Sequence, residues 1–390
     1  MNVAVVHNYY QQAGGEDAVF EAEADLLENK GHAVSRYAVH NDATRGMSAP
    51  ALAVATIWNR EQHRTLSALF RDFRPDVVHV HNTLPLISPA VYDAARRAGA
   101  AVVQTLHNYR LVCPSGLLFR NGRPCELCVG RSVPLPGVLH ACYRASRPAS
   151  GAVAAMLAFH RLRGSYRREV DRYIALTRFA KDTFVRGGLP PDKIAVKPNV
   201  VPADPGIGSG DGGYALFVGR LSEEKGVRVL LEAWRGLGGR PPLRVIGDGP
   251  LMKVASRSAG DAPGITLAGR LPAAEVREEM QRAAFLVVPS LWYEGFPMVV
   301  AEAYAAGTAV MASNIGALAE IVEHGRTGLT FGVGDSEDLA RVASWLVEHP
   351  AELRAMRANA RDAYERRYAA EPNYDSLMAI YQDALAARAG

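Results

Sequence analysis

The stretch FLVVPSLWYEGFPMVVAEA, residues 285–303, joins a strand pattern to a helix pattern through one short loop. Phe285–Val288 is a continuous apolar run, which is typical of a parallel strand covered on both faces. Pro297 suits the first turn of a helix, because the N–H that proline lacks would have no partner there. A strand that passes into a helix in this way is the repeating unit of a parallel α/β sheet.

The same alternation extends along the whole chain. The strands predicted in the first half are Val3–Val6, Val34–Ala38, Val77–Val80, Ala101–Leu106, Tyr173–Leu176 and Ile194–Lys197. Those predicted in the second half are Ala215–Val218, Leu243–Ile246, Ile265–Leu267, Phe285–Val288 and Ala309–Ala312. Helical patterns lie between them, for example Asp17–Asn29, Ser88–Ala98, Glu224–Leu237, Met298–Ala306 and Ser336–His349. This order predicts an α/β fold with right-handed βαβ units and two doubly wound sheets.

The two sheets are predicted to form separate domains, because Asn199–Asp211 is rich in proline and glycine and indicates a linker. We expect residues 1–200 to form one Rossmann-like domain and residues 201–371 a second. The C-terminal helix, residues 372–390, is expected to cross back to the first domain. Open α/β sheets bind ligands at the carboxyl ends of their strands, so two facing sheets predict a central cleft.

Composition excludes several classes of protein. The 390 residues are 48% hydrophobic and 22% charged, as in soluble globular proteins, which excludes disorder as the main state. The net charge of +4 is too small to make the whole chain a nucleic-acid binder. Met1–Tyr10 lacks the cationic start of a signal peptide, and the apolar runs are too short to span a membrane. The sequence therefore predicts a cytoplasmic protein, or one peripheral to the inner face of a membrane.

Residues 108–172 combine all four cysteines with most of the excess charge. They carry 11 arginines and 3 acidic residues. A Cys-x-x-Cys pair is typical of tetrahedral zinc sites, so a structural zinc is one interpretation, although the other two spacings are irregular. Free or redox-active thiols and an iron–sulfur cluster are the alternatives, whereas disulfides are not expected in the cytoplasm. The four candidate ligands are Cys113, Cys125, Cys128 and Cys142.

Within this region, residues 152–172 run from an apolar stretch into five arginines. A basic amphipathic helix of this kind can rest on an anionic membrane, which suggests a peripheral membrane contact. The alternative is a core helix with one solvated face.

Polar residues follow several strands of the second half. Arg220 and Lys225 flank the turn after Ala215–Val218, where two cations at the start of a helix can neutralise a diphosphate. The alternative is a pair of solvated surface cations. Gly249, in a Gly-Asp-Gly turn, and Arg270 follow the next two strands and are placed to meet a nucleobase.

The loop of the opening stretch carries the strongest candidates. Glu294 precedes the predicted helix, and the backbone of Gly295, Phe296 and Pro297 lies at its N-terminus, where anions bind. Glu302 lies near an apolar face, and a carboxylate in such a place normally has a partner, such as the hydroxyls of a ribose. A capping or ion-paired glutamate is the alternative.

In the first half, Gly15 follows the first strand, and its lack of a side chain permits a close approach to the backbone. His107 lies at the carboxyl end of Ala101–Leu106, where this fold places its chemistry, although a structural histidine is the alternative. His79 and His81 are expected to lie on different faces of the third strand and therefore not to share a site.

Together these segments resemble the retaining nucleotide-sugar glycosyltransferases of glycosyltransferase family 4. The resemblance covers nearly the whole chain and implies the GT-B fold, in which two Rossmann-like domains face a central cleft. It rests on Gly14-Gly15, Pro198-Asn199, Gly219–Leu221, Lys225-Gly226, Gly247–Pro250, Glu294, Glu302, Ser313–Gly316, Glu320 and Gly325–Gly328.

The resemblance implies roles for the candidate residues. Arg220 and Lys225 would hold the donor diphosphate, and Glu302 would bind the ribose. Glu294 and His107 would contact the transferred sugar. Backbone contacts to sugar and phosphate would come from Gly295, Phe296 and Pro297. The family often has Asn-Gly-Val-Asp after the hinge proline, where this chain has Asn199-Val200-Val201-Pro202, so a ligand contact at the hinge is left open.

The implied reaction transfers a sugar from a nucleoside diphosphate to a hydroxyl of a saccharide, a lipid-linked saccharide or a small molecule. The sequence contains no Asp-x-Asp pair, so we expect catalysis without a metal or another cofactor, with cations and a helix dipole stabilising the leaving group. An epimerase or hydrolase of nucleotide sugars, or a non-catalytic binding protein, could use the same fold.

Overall fold

Two parallel sheets form the framework of the protein, as the sequence predicts, and each has six strands. The computed structural model describes residues 1–11 and 14–389. The chain divides into two units. The first comprises Met1–Leu118, Glu126–Val200 and Asn373–Gly390, and the second comprises Phe119–Cys125 and Val201–Pro372.

The strands follow one another in two groups. Those of the N-terminal group are β1 (Asn2–Tyr9), β2 (Ala33–His40), β3 (Val77–Val80), β4 (Ala101–Leu106), β5 (Phe119–Arg120), β6 (Arg123–Pro124), β7 (Arg172–Ala175) and β8 (Ile194–Val196). Those of the second group are β9 (Ala215–Val218), β10 (Leu243–Ile246), β11 (Ile265–Gly269), β12 (Phe285–Val288), β13 (Ala309–Ser313) and β14 (Gly328–Phe331). The short strands β5 and β6 form an antiparallel hairpin. The sequence analysis predicted neither this hairpin nor β14.

The helices of the first half are α1 (Gly15–Asn29), α2 (Ala49–Ile57), α3 (Arg60–Phe73), α4 (Ala90–Arg97), α5 (Leu135–Leu139), α6 (Arg147–Arg163) and α7 (Arg178–Arg186). Those of the second half are α8 (Val227–Gly236), α9 (Met252–Asp261), α10 (Ala273–Arg282), α11 (Met298–Ala305), α12 (Gly316–Ile321), α13 (Ser336–Glu348), α14 (Pro350–Arg367) and α15 (Ala370–Ala389). None of the described helices is long and apolar enough to span a bilayer.

Both sheets are doubly wound. The strand order is β2-β1-β3-β4-β7-β8 in the first and β11-β10-β9-β12-β13-β14 in the second. The direction of winding reverses between β1 and β3 and again between β9 and β12. The loops that leave these central strands diverge, and the crevice between them is where such sheets bind ligands.

Alternating apolar side chains cover both faces of the second sheet. Phe217 and Met311 pack into one buried cluster, whereas Leu216 and Val310 pack into another on the opposite face. Successive residues of a strand point to opposite faces, so a strand buried on both sides must be apolar throughout. This is why continuous apolar runs predicted these strands.

The last helix contributes to the first unit from residue 373 onward. The hydroxyl of Tyr381 on α15 lies 2.8 Å from Nδ1 of His79 on β3. The Nε of Arg388 donates to the carbonyl of Gly99 at 2.9 Å. These contacts attach the C-terminal helix to the first sheet.

Candidate active site

In the second unit, the loop after β9 packs directly against the loop after β12. The amide of Leu291 donates to the carbonyl of Glu224 at 2.8 Å. Gly226 has a φ of +70°, and a Cβ on it would lie 1.8 Å from the carbonyl oxygen of Pro289. Only glycine permits this contact. The two loops that leave the point of strand reversal are therefore held together through their backbones.

The turn after β10 packs against the loop after β9 in the same way. A Cβ on Gly247 would lie 1.9 Å from the carbonyl oxygen of Gly219, and one on Gly249 would lie 2.5 Å from that of Leu221. The amide of Leu221 donates to the carbonyl of Asp248 at 2.9 Å. Three strand-end loops thus form one continuous backbone surface at the carboxyl edge of the sheet.

Lys225 and Glu294 meet on this surface. The Nζ of Lys225 lies 2.8 Å from Oε1 of Glu294, and the hydroxyl of Ser290 donates to the same oxygen at 2.7 Å. The Glu294 side chain is 6% exposed and that of Lys225 is 27% exposed. The Lys225 ammonium also lies 5.5 Å from the centroid of the Trp292 ring. The structure therefore brings together two predicted site residues that are distant in sequence.

The other predicted side chains of this unit, Arg220, Arg270 and Glu302, differ in how far they are buried. Arg220 and Arg270 are exposed, and within the described part of the chain Arg220 forms no ion pair. Glu302 on α11 is half-buried, and burial raises the pKa of its carboxyl group, an effect that the charge of Arg277 partly opposes. A desolvated carboxylate of this kind gains from hydrogen-bond donors such as sugar hydroxyls.

The helix α11 begins at Met298, as predicted. Pro297, directly before it, is the N-cap. The Pro297 carbonyl accepts from the amide of Val300 at 2.9 Å. Gly295 and Phe296 are partly exposed, and the Phe296 ring lies 5.7 Å from that of Tyr368. These two residues lie directly before the N-cap of the helix.

In the first unit, His107 follows β4 and is paired with a second histidine. Its Nε2 lies 2.9 Å from Nδ1 of His81, and the two rings are stacked with centroids 5.1 Å apart. One of these nitrogens must carry the hydrogen and the other must accept it. The contact therefore orients the His107 ring and makes its tautomer depend on that of His81.

Behind this pair lies a buried charged network. Glu23 on α1 accepts from Nζ of Lys197 at 2.5 Å, and both side chains are 1% exposed. The other oxygen of Glu23 lies 3.5 Å from Nε2 of His81 and 3.8 Å from Nδ1 of His79. The Glu23 side chain therefore contacts Lys197 and faces both histidines.

The prediction that His79 and His81 lie on different faces is wrong. Residues two apart on a strand point to the same face, and the two rings lie 4.3 Å apart. His81 is the functional candidate that the sequence analysis excluded. The i, i+2 spacing, correctly interpreted, would have placed it beside His79.

A further carboxylate lies at the start of α1. Gly15 is exposed there, and Glu16 follows it. The two oxygens of Glu16 each accept at 3.2 Å, one from Nδ2 of Asn82 and the other from Nδ2 of Asn108. Burial raises the pKa of Glu16 to about 7. A carboxyl group with this pKa can accept or give up a proton near neutral pH.

Two protein families match the chain. The Glycosyl transferase 4-like domain matches residues 14–200, and Glycosyl transferases group 1 matches residues 212–349. This chain is a glycosyltransferase of the group 1 and 4-like type. Its two doubly wound units have the GT-B fold of Anabaena Alr3699/HepE in complex with UDP-glucose, with a TM-score of 0.70 and 15% identity over 97% of this chain and 99% of that one.

Relatives of the glycosyltransferase resemble it over different lengths. An uncharacterized glycosyltransferase of Methanocaldococcus jannaschii is 30% identical over 45% of this chain and 49% of its own length. An uncharacterized 42.6 kDa protein in the cps region of Klebsiella pneumoniae is 24% identical over 82% of this chain and 87% of its own. The chain thus spans about half of the first relative and most of the second.

The cysteines of the glycosyltransferase have varied local contacts. Cys113 is buried with its Sγ 3.2 Å from the Ser115 hydroxyl, and Cys128 donates to the carbonyl of Pro134 at 3.8 Å. Cys125 and Cys142 are partly exposed. In the described ranges, no cysteine belongs to a group of three or more ligand atoms within 4.8 Å of one another. The zinc site stays a prediction.

The histidine network predicts a pH-dependent stability. Burial lowers the pKa of His79 to about 4 and those of His81 and His107 well below 6.5. Below pH 6.5 the unfolded chain therefore takes up protons that the folded chain does not, and stability is lost as the pH falls. Glu16, with its raised pKa, opposes this between pH 7 and its ordinary value of 4.5.

We expect His81→Gln to reduce the dependence of the unfolding free energy on pH between 6.5 and 5 by up to about 1.4 kcal/mol per pH unit. Urea unfolding at several pH values measures this slope. Measurements at pH 8 give the general cost of the substitution, which does not bear on the prediction. An unchanged slope below pH 6.5 would contradict it.

Proposed function

We propose that the enzyme transfers a glycosyl group from a nucleoside diphosphate sugar to an acceptor hydroxyl with retention of the anomeric configuration. The observation that carries this proposal is the contact of Lys225 with Glu294 on the strand-end surface of the second unit. The Lys225 ammonium is suited to binding phosphate, and the Glu294 carboxylate is suited to binding sugar hydroxyls. The two groups lie within hydrogen-bond distance of each other, at 2.8 Å. The complex of Alr3699/HepE with UDP-glucose supports a donor of this class.

In this reaction the bond between the anomeric carbon and the diphosphate oxygen breaks, and the acceptor oxygen bonds to the same face of the sugar. The acceptor proton passes to the leaving phosphate. Lys225 and Arg220 stabilise the negative charge that develops on the diphosphate, together with the backbone before α11. The sequence has no Asp-x-Asp pair, and these cations supply the neutralisation, so we propose that catalysis needs no metal.

The remaining residues bind and orient the substrates. Gly249 and Arg270 border the base, Glu302 binds the ribose, and Glu294 contacts the transferred sugar. In the first unit, His107 acts as a neutral hydrogen-bonding group toward that sugar, because burial keeps the pKa of its imidazole low. Gly15 permits a close approach of ligand to the start of α1.

The narrower part of the proposal concerns the acceptor, a saccharide, lipid-linked saccharide or small molecule. A peripheral contact of residues 152–172 with the cytoplasmic face of a membrane would present a lipid-linked acceptor. Leu162 is 90% exposed and Phe159 is 43% exposed. However, Arg163 pairs with Asp93 and Arg172 pairs with Asp383, so these carboxylates already neutralise part of the positive charge. Co-sedimentation with anionic liposomes at low salt tests this contact.

A structural zinc bound by Cys113, Cys125, Cys128 and Cys142 would brace the basic segment. Thiolate ligands suit zinc, and the Cys125-x-x-Cys128 pair has the usual spacing. Metal analysis of protein purified without chelator tests this proposal, and protein without zinc would overturn it.

The donor is tested by adding a panel of nucleoside diphosphate sugars to the purified protein. We expect one of them to raise the thermal unfolding midpoint, because a ligand that binds only the folded state stabilises it. The same compound should then be consumed with release of the nucleoside diphosphate, and the configuration of the product should match that of the donor. An inverted product would contradict retention, and binding without turnover would contradict catalysis.

A further inference from the structure

A cavity of about 240 Å³ lies in the first unit, among residues that the proposed reaction does not use. Its lining comes from the loop after β4, the cysteine segment, the end of α6 and the turn after α7. A water occupies about 30 Å³ in the liquid, so the cavity has room for a tetrahedral anion together with waters.

Three arginines line this cavity, and none of its lining residues is acidic. They are Arg131, Arg161 and Arg167. Among the residues that the structure describes, none of the three forms an ion pair with a carboxylate. Like charges around a confined space repel one another, and a bound anion removes this repulsion.

Arg161 is held rigidly in the wall of the cavity. Its terminal nitrogens donate to the backbone carbonyls of Leu111 at 2.7 Å and Ser132 at 3.2 Å, and also to the carbonyl of Arg131. These neutral acceptors fix the guanidinium but leave its charge uncompensated. Burial accordingly lowers the pKa of Arg161. A partly desolvated cation of this kind gains more from an anion than an exposed one does.

Tyr166 adds a second polar group to the lining. The residue is 2% exposed, and its hydroxyl has no hydrogen-bond partner among the described residues. Beside it, the glycines Gly187 and Gly188 leave the backbone of the wall without side chains.

We propose that this cavity binds a phosphoryl group, as a phosphate monoester or diester. Planar guanidinium groups match the oxygens of phosphate, and the three arginines that line this cavity have no carboxylate partner among the described residues. The phosphoryl group can belong to a free phosphorylated molecule or to a lipid headgroup, since both present the same oxygens.

The test follows the amide NMR signals of Gly187 and Gly188 while inorganic phosphate is added at constant ionic strength. An Arg220→Ala, Lys225→Ala background removes the cations proposed to bind the donor, so the readout is independent of catalysis. We expect saturable shifts of these two signals. Vesicles of phosphatidylglycerol and phosphatidylcholine in equal amounts form the second arm, and shifts with vesicles alone identify a lipid headgroup as the source.

The variant Arg131→Ala, Arg167→Ala should weaken the response by about tenfold or more, because it removes two charge-assisted contacts. Arg161 is kept, since it braces three carbonyls. Arg60→Ala, Arg64→Ala is the control for net charge, because both arginines are exposed on α3. Absence of shifts in both arms, or equal shifts in the two double variants, would overturn the proposal.

Discussion

Glu294→Gln is expected to lower the rate of sugar transfer on the order of a hundredfold or more, since the substitution removes a preorganised charge from a buried site. The carboxylate holds the Lys225 ammonium at 2.8 Å and accepts from the Ser290 hydroxyl at 2.7 Å. Glutamine preserves the volume and keeps an oxygen for Ser290, but it no longer offsets the charge of Lys225. The proposed sugar contact also loses its charge. Initial rates over a range of donor concentrations should show the loss mainly in kcat.

Glu223→Gln provides a matched control in the neighbouring loop after β9, two residues before Lys225. Glu223 pairs with Arg228 at 2.8 Å, but its side chain is 54% exposed. Because exposed ion pairs contribute little, we expect its transfer rate to stay within about twofold of the wild type. A Glu294→Gln enzyme that is as active as this control would contradict the role assigned to Glu294.

Part of the fold is predictable because burial on both faces leaves a clear trace in the sequence. The bounds of β3, β4, β9, β10 and β12 match the predicted strands residue for residue. β14 escaped prediction because it begins with Gly328 and contains the polar Thr330 at the edge of the sheet. The hairpin was missed although Asn121 and Gly122, both with positive φ, are the residue types that a tight hairpin turn requires.

The candidate site is predictable to a different extent in each unit. Local motifs placed Lys225 and Glu294 at strand ends, and topology alone then brings them to one edge. By contrast, Glu23 and Lys197 are 174 residues apart in sequence, and neither belongs to a recognisable motif. Their pairing depends on how α1 packs on the sheet. No local pattern carries that information, so the support behind His107 could be found only in the structure.

Gly226→Ala is expected to destabilise the second unit by about 3 kcal/mol or more, which is the range of substitutions that force a backbone clash. The added Cβ would lie 1.8 Å from the carbonyl oxygen of Pro289, far inside contact distance. The φ of +70° adds about 1 kcal/mol, since alanine resists the left-handed region. Relief requires the loops after β9 and β12 to separate, which breaks the hydrogen bond from Leu291 to Glu224. Urea unfolding measures the stability, and donor binding should weaken with it.

Gly236→Ala tests the same chemical change ten residues later, at the last position of α8. A Cβ there meets nothing within 4 Å, and its φ is not in the left-handed region. Alanine should therefore raise the stability by about 0.5 to 1 kcal/mol, by restricting the unfolded chain. The two substitutions flank one helix and are predicted to have opposite signs. If both raise or both lower the urea midpoint, the contact of Gly226 with Pro289 is not what holds the two strand-end loops together.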